Sequence, residues 1–306
     1  MKLTTVIYKT AVKCWNIMPF KKLMAQAIRA LRLPVDKLQR DLWFEGDFFV
    51  DFNNKNFKLN ASRRDYSALG VFWDGLEKGW DAKSIYIWGE LAKRANTVFD
   101  IGANIGLYAL AAKTVNPSCK VYAFEPSEKI LGILKSNVQL NNFDITVVPV
   151  ALSNTKGETV FYDLSVPTAM SSIKYSDSLA KNKNLIEYRV NVNTFENYIN
   201  EQEISQVDLV SIDVELNEPE VLEGMGGVID RFRPDFIIEV LNNEVGDKIE
   251  QFFHGKNYSY YRIDEETGLI PVPHLKRESN SKDNGFNFLI CGRDYTEYLS
   301  SFMKYY

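Results

Sequence analysis

Acidic residues close several apolar runs in this chain, in positions suited to binding hydroxyl groups and moving protons. Thr97-Val98-Phe99 runs into Asp100, and a turn follows, Gly102-Ala103-Asn104-Ile105-Gly106. Lys120-Val121-Tyr122-Ala123-Phe124 ends in Glu125-Pro126. Asp213, Glu215 and Glu218 close a later run that begins at Val207, and Glu239 closes Pro234–Glu239. An ionised carboxylate only accepts hydrogen bonds, so one such group can take both hydroxyls of a ribose. Glu125 follows the glycine turn by roughly 20 residues, the spacing of a ribose-binding acid at the end of a second strand. Crowded carboxylates raise one another's pKa. Asp213, Glu215, Glu218 and Glu239 are therefore candidates for a general base working near neutrality, or for ligands of a divalent metal that polarises a hydroxyl.

These acids need a scaffold that brings strand ends together. The pattern around Asp100 reads as strand, tight turn and helix, with Tyr108-Ala109-Leu110-Ala111-Ala112 as the helical part. Glycine at such a turn permits positive φ and close backbone approach to a ligand. A dinucleotide fingerprint would need glycine at positions 104 and 107, where the chain has Asn104 and Leu107. No Gly-Lys-Ser/Thr follows, so a P-loop is excluded as well. Further strands are expected at Ile145–Ser153, Val207–Ile212 and Pro234–Val240. They are continuously apolar, as buried parallel strands are. In open α/β sheets the ligand crevice lies at the carboxyl ends of such strands.

Asp-Ile-Gly-Ala-Asn-Ile-Gly at 100–106 resembles motif I of class I S-adenosylmethionine-dependent methyltransferases. Phe124-Glu125-Pro126, then Val150-Ala151-Leu152-Ser153, then Ile212-Asp213-Val214-Glu215 with Glu218-Pro219-Glu220-Val221-Leu222 complete an ordered set. That set resembles the FkbM methyltransferases over roughly 95–245. Thr168-Ala169-Met170-Ser171-Ser172 and Val190–Phe195 resemble the family's middle region. The resemblance implies a Rossmann-like, mostly parallel seven-stranded sheet and S-adenosylmethionine as cofactor. It implies O-methylation of a sugar, glycan or secondary metabolite. It assigns Asp100, Gly102, Ala103, Asn104, Gly106, Glu125, Pro126, Ala151 and Asp213 to the cofactor. It puts Asp213, Glu215 and Glu239 at the transfer step, and Leu216, Asn217 and Glu218 beside the acceptor. No metal ligand set is implied. One departure stands out: Leu216-Asn217 replace the family's usual Gly-Ala, adding bulk where φ > 0 favours glycine. Two other readings share the fold: a catalytically inactive binding or scaffold protein, and an NAD-dependent oxidoreductase.

The 306 residues are 45% hydrophobic and carry a net charge of −4, which does not suit a nucleic-acid binder. Cys14, Cys119 and Cys291 are widely spaced and only two histidines occur, so a disulfide framework or a histidine metal site is not expected. A reducing cytosol follows. Residues 1–92 read as an amphipathic helix, a hairpin between Leu42 and Leu59, and a cap. Residues 93–293 read as the core, with an insertion near 158–195, and 294–306 as a tail that can form a short helix. No acid precedes Asp36, while seven bases alternate with apolar residues. Such a segment lies on an anionic membrane surface, here the inner face, or packs on its own domain or a second subunit.

Overall fold

The computed structural model describes residues 2–33, 41–62, 66–79, 81–164, 171–175, 184–277, 286–293, 295 and 297–303. Thr168, Ala169 and Met170, and most of the 171–184 loop, lie outside the described residues. The strands are β1 (Gly46–Phe52), β2 (Lys55–Ala61), β3 (Thr97–Ile101), β4 (Lys120–Phe124), β5 (Ile145–Val148), β6 (Ala151–Leu152), β7 (Gly157–Leu164), β8 (Leu185–Asn193), β9 (Leu209–Ile212), β10 (Asp235–Glu239), β11 (Ser259–Asp264), β12 (Gly268–Val272) and β13 (Asn287–Cys291). The helices are α1 (Lys2–Ile17), α2 (Lys21–Ala30), α3 (Tyr66–Asp74), α4 (Ala82–Ala92), α5 (Leu107–Val115), α6 (Glu128–Leu140), α7 (Phe195–Glu201), α8 (Glu218–Glu223), α9 (Val228–Phe232) and α10 (Asn243–Phe253).

The central sheet has eight strands in the order β12-β11-β13-β10-β9-β3-β4-β5, one more than the seven anticipated. The additional strand, β12, is an edge strand paired antiparallel with β11. Strands β5, β4, β3, β9 and β10 are mutually parallel, and β13 runs antiparallel between β10 and β11. From β3 the chain builds outward through β4 and β5, then returns to place β9 on the other side of β3. The order therefore reverses between β3 and β9, and the crevice outside their carboxyl ends is where such sheets bind ligands. Every residue of β3, β9, β10 and β13 is buried, which is why these strands are apolar without alternation.

The run Ile145–Ser153 is not one strand. Pro149 has no N–H to give to a ladder, and the chain breaks there. β5 stays in the main sheet, while β6 joins β7 and β8 in a second, three-stranded sheet.

One face of the main sheet contributes Val98, Val121, Leu209 and Ile237 to a core shared with Trp15, Phe44, Phe48, Phe72 and Trp88. The N-terminal elements are thus packed on the sheet. The β1–β2 hairpin turns through Asn53 and Asn54, both at positive φ (50° and 60°), as a tight hairpin turn requires. The Asn137 and Asn141 side-chain oxygens accept from the Asn60 and Lys58 backbone N–H groups at 2.9 and 2.7 Å, tying the hairpin to α6. The other face packs Phe99, Phe124, Val210, Phe236 and Phe288 against α7–α10. At the C-terminal end, Ser300–Phe302 form a single 3-10 turn.

Candidate active site

The glycine turn is shaped by what lies against it. Gly102 has φ 84°, and a Cβ there would stand 1.8 Å from the Asp213 carbonyl oxygen. The loop after β3 is thereby pressed on the end of β9. The Gly102 and Ala103 N–H groups both donate to the Phe124 carbonyl, at 3.1 and 2.9 Å, which hooks the loop over the end of β4. Gly106 precedes α5 at φ 92°.

Asp100 is only 3% exposed. Its Oδ1 accepts from Ser211 Oγ at 2.6 Å, its neighbour across the β3–β9 ladder, and its Oδ2 accepts from the Ala109 N–H at 2.9 Å. Both oxygens are used to anchor α5 on the sheet. Burial, with a smaller contribution from Asp213, raises its pKa to about 6 against these hydrogen bonds. Asp100 is not among the residues that line the crevice, and its bonds hold α5 and β9 together. Glu125 does line the crevice. Its Oε2 accepts from the Asn104 N–H at 3.0 Å and its Oε1 from the Ser127 N–H at 2.8 Å. Burial raises its pKa to about 7 despite these bonds, with Asp163 and Asp100 adding. Each carboxylate oxygen has a second acceptor position left for a ligand hydroxyl.

A crevice opens beside these groups. Gly102, Asn104, Glu125, Pro126, Ala151, Asp213 and Asn217 line it, with an apolar wall of Phe124, Ile130, Val150, Leu152, Phe161 and Ile173. The residues present fit a nucleoside: the wall suits a flat base, and Glu125 suits its hydroxyls. Asp100, Ala103, Gly106, Glu215, Leu216, Glu218 and Glu239 do not line it. Leu216 is half-buried and packs against the core on the α7–α10 face of the sheet. Glu215 and Leu216 nevertheless take positive φ (55° and 77°), which is strained for both.

Glu218 accounts for that loop. It is fully buried, and its Oε1 accepts from the Val214 and Leu216 N–H groups at 3.1 and 3.2 Å. Ser172 Oγ lies 2.9 Å from the Val214 and Glu215 carbonyl oxygens and closes the loop from the other side. Asn217 Nδ2 donates to the Leu152 carbonyl at 3.1 Å.

Asp213, at the end of β9, is hydrogen-bonded to Glu239, at the end of β10. The bond lowers the pKa of Asp213 and raises that of Glu239. Asp213 keeps open surface in the crevice although it lies deep among protein atoms. Burial still pushes it above the usual carboxylate range. Burial and then the Asp213 charge raise Glu215 and Glu218 to about 8 and Glu239 well above its ordinary value. The charges acting on these three groups are other carboxylates. Asp213, Glu218 and Glu239 each present an oxygen within 4.8 Å of the others, and the second oxygens of Glu218 and Glu239 have no partner. An all-oxygen set of this kind can hold a hard divalent cation.

Sequence reasoning missed Asp81. It comes from the segment before α4, at φ 62°, and its Oδ1 accepts from Asn287 Nδ2 at 2.9 Å. Asn287 pairs with Glu239 across the β10–β13 ladder, which sets Asp81 beside the cluster. Burial, then the Asp213 charge, raise its pKa well above the ordinary value. The only local signal was an acid directly ahead of a helix.

A pH dependence follows from these shifts. A carboxyl whose folded pKa is raised binds more protons folded than unfolded between the two values, so stability falls as pH rises through that window. For Glu218 the window runs from its ordinary value of 4.5 to about 8. Glu218→Gln keeps the acceptor oxygen and removes the charge. Its thermal midpoint should exceed that of the parent at pH 8, with a smaller difference at pH 5. A difference independent of pH would remove the raised ionisation of Glu218.

A family model described as "Methyltransferase FkbM domain" matches residues 100–260. The 31-O-demethyl-FK506 methyltransferase FkbM of Streptomyces tacrolimicus is 27% identical over 158 residues, covering 42% of this chain and 59% of that protein. Methyltransferase 1 of Beauveria bassiana is 24% identical over 143 residues, covering 42% of this chain and 57% of that protein. The chain therefore spans less than two thirds of the length of these relatives. Among solved structures, a methyltransferase FkbM from Methylobacillus flagellatus KT gives a TM-score of 0.42 at 14% identity, over 64% of this chain and 43% of that one.

Proposed function

This chain belongs to the FkbM methyltransferase family, and from that premise we propose that it transfers a methyl group from S-adenosylmethionine to a hydroxyl of a sugar, glycan or secondary metabolite. The observation that carries the reading is Asp213. Of the four clustered carboxylates it alone lines the crevice, and it shares that crevice with Glu125 and Gly102. When bound, the cofactor supplies an electrophilic methyl on a sulfonium, and the protein's part is alignment and electrostatics. Glu125 accepts from the ribose hydroxyls. The apolar wall from Phe124 to Phe161 takes the base and excludes water. Asp213 accepts the proton of the acceptor hydroxyl, which is otherwise a poor nucleophile. The bond to Glu239 lowers the pKa of Asp213, which favours its ionised form. The O-methyltransfer named in the Streptomyces relative supports an oxygen acceptor. The net charge of −4 speaks against a nucleic acid, and the three cysteines, all free thiols, suit the cytosol.

The test is calorimetric titration with S-adenosylmethionine and with NAD, followed by transfer of labelled methyl to a panel of hydroxyl- and amine-bearing acceptors. Binding of NAD alone would make the chain an oxidoreductase. Cofactor binding without turnover on any acceptor would make it a scaffold, and transfer only to nitrogen would overturn the hydroxyl assignment. Glu125→Ala should weaken cofactor binding by about 1.5–3 kcal/mol, the range for hydrogen bonds to a charged group. Unchanged affinity would remove the ribose role.

A further inference from the structure

The N-terminal helices face the wrong way for a helix pair that merely covers a core. α1 and α2 are separated at Pro19. Trp15 is buried and its Nε1 donates to the Trp43 carbonyl at 2.7 Å. Ala25 is fully buried. Lys21 lies 3.6 Å over the Trp43 ring, Lys22 pairs with Asp47 at 3.1 Å, and Arg29 lies 5.1 Å over the Phe72 ring. Lys21, Lys22 and Arg29 thus face the protein, whereas Lys13 and Arg32 are exposed. Met18 and Ile28 pack on the core, but Ile17, Phe20, Leu23, Met24, Leu31 and Leu33 are all exposed, Phe20 at 76%, Leu23 at 63% and Leu31 at 70%. Phe20, Leu23, Met24, Ala27 and Leu31 follow the spacing of one helical face. Of the ten large exposed hydrophobic residues among the described residues, seven belong to this segment.

We propose that this outward stripe on α2 and its flanks is a docking surface for an anionic lipid bilayer. The choice of occupant rests on charge. Residues 1–33 hold seven of the chain's 36 basic residues and none of its 40 acids, so the rest of the chain carries a net charge of −11. A second copy meeting the stripe symmetrically would bring two segments of the same net positive charge together. An anionic surface meets both features at once: the stripe enters the boundary of the acyl chains, and the exposed Lys13 and Arg32 meet the headgroups. No helix among the described residues is long and apolar enough to cross a membrane, so the contact is peripheral. Anchoring of this kind depends on apolar area and on lipid charge together, and each can be removed separately.

The experiment is flotation of the full chain with vesicles of phosphatidylcholine alone or with about 30% phosphatidylglycerol, at low and high salt. Binding should need the anionic lipid and weaken with salt. Leu23→Asp with Leu31→Asp should lower vesicle binding at least tenfold while thermal midpoint and cofactor affinity stay at parental values. Lys13→Gln with Arg32→Gln should remove the preference for anionic vesicles and leave the fold intact. Absence of vesicle binding by the parent chain would overturn the proposal, as would full binding by the Leu23/Leu31 variant. A parental dimer that becomes monomeric in that variant would also overturn it, since the stripe would then be an interface between copies.

Discussion

Asp213→Asn is expected to slow methyl transfer by about 10²–10⁴-fold, the contribution of a positioned general base, with a far smaller effect on cofactor affinity. The change keeps the shape of the side chain and removes its capacity to take a proton. Asp213 is hydrogen-bonded to Glu239, and that bond lowers the pKa of Asp213 while raising that of Glu239. The rate of the parent should therefore rise with pH as Asp213 loses its proton, and the variant should lack that limb. Glu239→Ala removes the bond that lowers the Asp213 pKa, so the limb should move to higher pH. Transfer by Asp213→Asn at the parental rate would end the base assignment. One further outcome separates two roles for the same atoms. Transfer abolished by a chelator and restored by magnesium or manganese would make Asp213, Glu218 and Glu239 cation ligands, with the cation polarising the hydroxyl.

Gly102→Ala should be the most damaging single methyl group that can be added near the crevice. Its Cβ would lie 1.8 Å from the Asp213 carbonyl oxygen and 2.9 Å from the Asp213 carbonyl carbon. Both are backbone atoms at the end of a buried strand and cannot swing aside. The φ of 84° adds its own penalty for a residue with a Cβ. Overpacking and the left-handed conformation together should cost about 2–5 kcal/mol of stability. Displacing the loop also moves the Asn104 N–H from Glu125, so cofactor binding should fall steeply. Gly132→Ala is the control, because a Cβ there meets nothing within 4 Å in the interior of α6. That change should be neutral or stabilise by about 0.4–1 kcal/mol. Chemical denaturation and calorimetry on both variants provide the check. Parental stability and affinity in Gly102→Ala would show that the loop does not press on β9 as described.

The parts of this protein that could be read from its residues alone are those governed by local rules. Continuous apolar runs identify buried parallel strands because both faces of the sheet are covered. Glycine at 102 and 106 marks turns because other residues resist positive φ. The ordered motifs carried the family likeness, and the acids at the strand ends marked the crevice. The direction each acid takes was not legible there. Asp100 and Glu218 look equivalent to Asp213 in the sequence, yet both turn inward to hold backbone N–H groups of α5 and of the 214–216 loop. Asp213 alone among the clustered carboxylates opens to the crevice. Asp81 joins that cluster from more than 130 positions away through Asn287, a partnership set by the pairing of β13 with β10. The outward face of α2 is of the same kind. Its amphipathic pattern is visible in the residues, but the anchoring of Trp15 and Ala25 selects which side is covered. Side-chain direction and helix rotation are fixed by contacts distant along the chain, and those exist only once the sheet, the hairpin and the helices have packed together.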